Sequence, residues 1–262
     1  MSLNKWGGQP ATEPLQLRLC SYNIHKGICA ANSRAILPQL RHSIRTVNAD
    51  MMFLQEVVGE KQLADLRSKK VSGAAVEYPQ FEFLADEVWP HYAYGRNALY
   101  QTGHHGNAIL SKYPFDEWDN TDVSHWRFSQ RGILMGKLDI GLYVICTHFG
   151  LFGRERKRQL VQLLDLVAER VPSTAPLIIA GDFNDWSGSL DRQIRRRIGV
   201  QDVYREAYGR RAKTFPAKFP LFSMDRIYYR NMELIDAEVL SGMPWQQLSD
   251  HCALYAEFSI PC

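Results

Sequence analysis

The apolar run Leu177-Ile178-Ile179-Ala180 follows Pro176 and passes directly into Gly181-Asp182-Phe183-Asn184, and it constrains this chain more than any other stretch. A short β-branched run bounded by proline and glycine reads as a buried strand, and in an open α/β sheet ligands bind in the crevice beyond the strand ends. Asp182 and Asn184 stand two residues apart, so an extended backbone aims both at one face. One carboxylate and one carboxamide aimed together suit a hydrated cation or a phosphate.

Three further runs have the same construction. Leu17 to Tyr22 ends in Asn23, Met51 to Gln55 ends in Glu56, and Tyr143 to Thr147 ends in His148. A fifth cluster, Ser249-Asp250-His251, opens the terminal run Cys252 to Phe258. These strand ends are rich in oxygen donors and hold no cysteine, which favours a hard cation, Mg²⁺ or Mn²⁺, over zinc. A carboxylate such as Glu56 at the end of a buried strand is unfavourable unless a cation or donors compensate it.

The clusters run from Asn23 to His251, so a shared site requires both ends of the chain in one fold. Strand-like runs alternate with two helical segments, Arg34 to Val47 and Arg154 to Arg170, and the economical reading is one α/β domain over residues 16–262. Residues 1–15, rich in glycine, proline and polar side chains, read as a flexible tail. In the second helix Leu160, Val161, Leu163, Leu164 and Val167 form the apolar stripe, while residues 154–158 stay polar and Arg154 or Arg158 would be placed to reach a phosphate.

Glu60 to Gln80 and Phe115 to Gln130 show little periodicity and read as loops. Within the second, His125, Trp126 and Phe128 are more consistent with packing than with stacking on a base or an acyl chain. Gly106 permits close backbone approach, and Asn107 beside it is placed to hydrogen-bond a catalytic imidazole. His104 and His105 point to opposite faces of a strand, which argues against a shared metal.

A net charge of +3 supports at most a local basic patch for a polyanion; Arg192 and Arg195 to Arg197 form the obvious cluster, best read as a solvated helix face. Cys20, Cys146 and Cys252 lie inside apolar runs, so the five cysteines give no disulfide framework. There is no charged-then-apolar leader and no apolar stretch near 18 residues, so neither secretion nor membrane spanning is indicated and a cytoplasmic location is expected.

Taken in order, Tyr22-Asn23, Gln55-Glu56, Thr147-His148, Gly181-Asp182-Phe183-Asn184, Met224-Asp225-Arg226-Ile227 and Ser249-Asp250-His251 resemble the endonuclease/exonuclease/phosphatase superfamily of metal-dependent phosphodiesterases over residues 17–258. Asn23-Ile24-His25-Lys26-Gly27, Gly95-Arg96-Asn97 and residues 104–108 further resemble a bacterial subgroup of it. The resemblance implies a DNase I-like α/β fold, a four-layer sandwich of two mixed β-sheets flanked by helices, with a site at one end.

It implies Asn23, Glu56 and Asp250 as ligands of Mg²⁺ or Mn²⁺, and His148, Asp182, Asn184, Asp225 and His251 as the catalytic set. Asp182 and Asn184 would position water and phosphate, with Asp182 the candidate base. Asp225 would orient His251, His148 would stabilise the transition state, and Arg226 would support Asp225. Asn107 and Arg131 would face the substrate.

The expected chemistry is hydrolysis of a phosphodiester, in nucleic acid or a phospholipid headgroup, by in-line attack of water on a monomeric enzyme, with an endo/exonuclease-like hydrolase the leading reading. Alternatives are a phospholipid or inositol-phosphate phosphodiesterase or phosphatase, and a non-catalytic phosphate-binding protein. Exonuclease III-type members carry an acid where this chain has His25, which argues against a second acidic ligand there.

Overall fold

A computed structural model describes residues 14–28, 36–61, 79–100, 103–126 and 129–261. Twelve strands among them form two six-stranded mixed sheets. The first sheet contains β1 (Leu15–Asn23), β2 (Met51–Lys61), β3 (His91–Tyr100), β4 (Gly103–Ser111), β11 (Glu233–Leu240) and β12 (Ala253–Ile260), in the order β11-β12-β1-β2-β4-β3. The second contains β5 (Phe115–Asp122), β6 (Gly132–Leu138), β7 (Tyr143–His148), β8 (Leu177–Asp182), β9 (Gln201–Asp202) and β10 (Asp225–Arg230), in the order β5-β6-β7-β8-β10-β9. β1 runs parallel to β2 and β7 to β8, and the other pairs are antiparallel.

Side chains alternate across a strand, and in the central strands both faces are apolar. Leu17, Leu19, Phe53, Ile109, Cys146, Ile178, Ala180 and Ile227 meet in the layer between the sheets. On the far side of the first sheet Cys20, Tyr22 and Met52 pack with α1 (Leu37–Thr46), α2 (Gln80–Ala85) and α6 (Trp245–Leu248). Behind the second, Ile145, Leu177 and Ile179 pack with α3 (Gly153–Arg170) and α4 (Asp191–Ile198). A short helix, α5 (Val203–Tyr208), adds Val203 and Tyr204 to the central layer. The result is the expected four layers. Each buried leucine or isoleucine contributes about 1.5–3 kcal/mol, so three such layers hold the strand ends in fixed register.

Several sequence expectations are corrected. Phe115–Asp122 is a strand, not a loop: it is the edge of its sheet, with most of its positions exposed, so no apolar alternation marks it. In α3 Val161 is exposed and Leu166 takes its place in the stripe, while Glu155 and Arg156, read as polar surface, are buried under the turn before the helix. The first helix occupies Leu37–Thr46, with Arg34 outside the described residues, as are 1–13, most of 60–80, and Phe128. Arg192 and Arg195 to Arg197 do lie on a helix face, with Arg195 paired to Asp191. Cys20, Cys146 and Cys252 are buried and free.

The inward positions change character toward one end of the sandwich. Leu19 is followed by Ser21 and Asn23, Phe53 by Gln55, Cys146 by His148 and Ala180 by Asp182. On strands running the other way, Ile109 is preceded by Asn107 and His105, and Ile227 by Asp225. The polar end of the central layer is the candidate site.

Candidate active site

Asp182 sits at its centre. His148, Asp182 and Asp225 are direct partners across β7, β8 and β10, so their side chains share the inward face. Asp182 Oδ2 accepts a hydrogen bond from Asn23 Nδ2 at 3.2 Å across the two sheets, and lies 3.4 Å from His148 Nε2 and 3.9 Å from His251 Nε2. Its Oδ1 accepts the Asn184 backbone N–H at 2.9 Å. Asn184 has φ 48°, a left-handed conformation asparagine adopts more readily than most residues, and its Nδ2 donates to Phe149 O at 2.8 Å. The approach of β7 to β8 requires glycine just before the aspartate: a Cβ on Gly181 would lie 1.9 Å from Thr147 O.

His251 is held by Asp225, whose Oδ2 lies 2.8 Å from Nδ1, and by Ser249 Oγ, which accepts the His251 N–H at 3.2 Å. Ser249 in turn donates to Asn23 O at 2.6 Å, joining the C-terminal cluster to the end of β1. Asp250 turns its Oδ1 to His25 Nδ1 at 2.7 Å and accepts there from Ser249 Oγ at 3.3 Å, outside the Asp182–Asp225–His251 group. Where an acid was expected not to stand, a histidine engages the neighbouring acid instead. Asn23 Oδ1 is turned toward the same element, accepting the His25 N–H at 3.1 Å.

Glu56 lies inside β2, one residue beyond Gln55, the parallel partner of Asn23: the strand runs on to Lys61 instead of ending there as expected. It has φ 58° and lies where the β2–β4 register slips between Leu54 and Val57. This bulge breaks the simple alternation and re-aims the half-buried side chain. Arg226 supports its surroundings rather than Asp225 itself, donating from Nη2 to Asp185 O at 2.8 Å.

The two expected substrate residues divide. Asn107 is buried, with Nδ2 donating to Gly132 O at 3.0 Å and Cys146 O at 3.4 Å, so its amide ties the sheets together instead of reaching an imidazole. Arg131 is half-buried, donates from Nε to Phe149 O at 3.4 Å, and its charge reaches His148. Gly106 behaves as expected, since a Cβ there would lie 1.8 Å from Gly95 O.

Electrostatics distinguish the histidines. Burial lowers His148 well below the ordinary value, and the charges of Arg131, His251 and Lys26 add to this, so it is neutral. Burial also opposes charge on His251, but Asp225 and Asp182 outweigh it and raise the ring to about 10. Asp182 is raised to about 6 by burial and by Asp225, against the stabilising His251, Asn184 and Asn23. His105 is a site-end residue the sequence reading set aside. It is buried on the inward face and lowered to about 4 by burial, Lys26 and Arg131. Counting back by twos from Ile109 through Asn107 would have found it.

One oxygen of Asp182, one of Asp225 and a ring nitrogen of His251 lie within 4.8 Å of one another, so this buried group could hold a metal ion once the His251 ring gives up a proton. Asp225 Oδ1 is buried with no hydrogen-bond partner among the described residues, which leaves it open to a cation or a water.

Comparison with known proteins matches residues 20–251 to the endonuclease/exonuclease/phosphatase family. The chain belongs to that family. Members of the endonuclease/exonuclease/phosphatase family are generally phosphoric ester hydrolases and commonly use divalent metals. The chain is 39% identical over 254 residues to the uncharacterized protein YbhP of Escherichia coli K12, covering 95% of this chain and 98% of that one. Two solved structures of family fold superpose closely. D. rerio TDP2 humanized by 14 mutations gives a TM-score of 0.68 at 20% identity, over 93% of this chain and 98% of that one. A mannosyl-6-phosphatase of Bacteroides thetaiotaomicron gives 0.65 at 18%, over 92% and 99%.

Proposed function

We propose that this chain is a divalent-metal-dependent phosphodiesterase acting by in-line attack of water. The observation that carries the reading is the Asp182 carboxylate, placed within 4 Å of a neutral His148 and a cationic His251 and bonded to Asn23. A base is most effective when it titrates near the working pH, and burial beside Asp225 raises Asp182 toward that range, where it is placed to accept the proton of the attacking water. His251, fixed and kept charged by Asp225, supplies positive charge where negative charge grows on the phosphoryl or leaving oxygen. His148 donates a hydrogen bond to the same developing oxyanion. Arg131 and Lys26 add a positive field from the rim.

Mg²⁺ or Mn²⁺ held by oxygen donors of Asn23, Glu56 and Asp250, beside the Asp182–Asp225–His251 group, would polarise phosphoryl oxygens. The donor chemistry fits such an ion. Similarity to TDP2, for which a complex with single-strand DNA product is known, supports a diester substrate. The mannosyl-6-phosphatase extends the fold to monoesters. The enzyme acts as a monomer in this reading, and the three buried free thiols accord with a reducing, cytoplasmic compartment. No helix among the described residues is long and apolar enough to cross a membrane.

The test is hydrolysis of bis-p-nitrophenyl phosphate with Mg²⁺, Mn²⁺ or EDTA, with Glu56→Ala beside the native chain. Turnover that requires the metal and falls in the variant is expected; turnover indifferent to EDTA would refute the metal assignment. Plasmid DNA and mixed phospholipids assayed in parallel separate the substrate classes.

A further inference from the structure

Three segments surround the site: the turn from β7 into α3, the loop from β8 to α4, and residues 209–224 leading into β10. Each carries large apolar side chains standing in solvent. Leu151 and Phe152 are 66% and 55% exposed, Trp186 is 58% exposed, and Phe219, Leu221 and Phe222 are 71%, 50% and 43% exposed. They are continuous with the catalytic residues. The Trp186 ring meets Phe222 edge to face at 6.4 Å, Phe222 bridges to Phe215, and the Phe215 ring lies 5.0 Å from His251. Ala217 N–H donates to Asp250 O at 2.7 Å, and Phe149 O, just before Leu151, accepts from Asn184.

The exposed charges on these segments have one sign. Their acidic residues, Glu155 and Asp185, are buried, while Arg154, Lys157, Arg210, Lys213 and Lys218 are exposed. An exposed apolar patch of this kind, rimmed by polar side chains, marks an interaction surface. Tryptophan, phenylalanine and leucine projecting beside lysine and arginine are the composition of a surface that lies in a lipid interface. Single-stranded nucleic acid calls instead for flat aromatic faces along a groove, and leucines at protruding tips offer no such face.

We propose that these three segments dock the mouth of the site onto an anionic phospholipid bilayer. Phe152, Phe219 and Leu221 enter the boundary between headgroups and acyl chains, and the surrounding lysines and arginines meet the lipid phosphates. The phosphodiester presented to Asp182 is then a lipid headgroup, an identification that rests on the hydrolase reading; the docking itself does not.

The experiment is cosedimentation of the full chain with vesicles of phosphatidylcholine containing phosphatidylglycerol, with pure phosphatidylcholine vesicles and a single-stranded oligonucleotide as alternative ligands. Binding to the anionic vesicles is expected, weakened at least tenfold in the double variant Phe219→Ser/Leu221→Ser and separately in Lys213→Glu/Lys218→Glu. Turnover of bis-p-nitrophenyl phosphate by both variants should stay within twofold of native, showing that the fold persists. Absence of binding to anionic vesicles, binding untouched by either variant, or binding of the oligonucleotide lost in the same variants would each overturn the proposal. Vesicle binding by a chain inactive on every diester would remove the hydrolase reading and leave the docking surface standing.

Discussion

The carboxylate of Asp182 is approached from β1 by Asn23, from β7 by His148 and from beyond α6 by His251, so its charge organises groups that share no local sequence. Asp182→Asn keeps the shape and removes the proposed base. Turnover of a soluble diester should fall at least about a hundredfold, the scale of a positioned acid–base group, with circular dichroism unchanged. Asp225 acts through His251. Because Asp225 raises that ring, Asp225→Asn should lower its titration from about 10 toward the ordinary value, and the alkaline limb of the pH–rate profile should move to lower pH. A pH profile identical to native would refute the coupling. At this scale Asn23, His148, Asp182, Asp225 and His251 are legible in sequence because each ends or adjoins an apolar strand. Glu56 is only partly so. Alternation places Gln55 inward and Glu56 outward, and the bulge that overrides it rests on a positive φ that no glycine announces.

The parallel pairs β1–β2 and β7–β8 bring strand ends abreast, and their runs are read easily because both faces are buried. β5 and the exposed half of β11 escape for the opposite reason: edge strands facing water need no apolar alternation. In α3 the stripe is legible but its rim is not, since burial of Glu155 depends on the Phe149–Gly150 turn folding back over it. A Cβ on Gly150 would lie 1.9 Å from Glu155 Oε2. The β7–β8 contact predicts that Gly181→Ala is destabilised by about 1–3 kcal/mol or more, read as a lower urea midpoint, because the new methyl meets a backbone carbonyl that cannot swing aside. Leu163→Ala, at a fully buried position between α3 and the second sheet, should lose about 2–5 kcal/mol by the same measurement.

Across the whole molecule, the end of the first sheet away from the site is tied by Asp50, which accepts from Arg18 N–H at 2.9 Å and Lys112 Nζ at 2.9 Å. Burial pushes its carboxyl up, but these donors and the Arg18 side chain outweigh it and the net shift is downward. A carboxylate lowered on folding stabilises the protein above its unfolded value of about 3.9 and loses that contribution as pH falls through the folded value. Asp50→Asn should therefore reduce stability at pH 7 and flatten its decline below about pH 4 in urea titrations. The net charge of +3 gave no warning of the basic rim, because a sum over the chain conceals where its acids are buried. The strand order has a temporal side as well. β12 lies between β11 and β1, and His251 stands just ahead of it, while Asn23 closes the first strand. A ribosome must deliver nearly all of these residues before Asn23, Asp182 and His251 can meet, so the emerging polypeptide cannot assemble this group until β12 inserts beside β1.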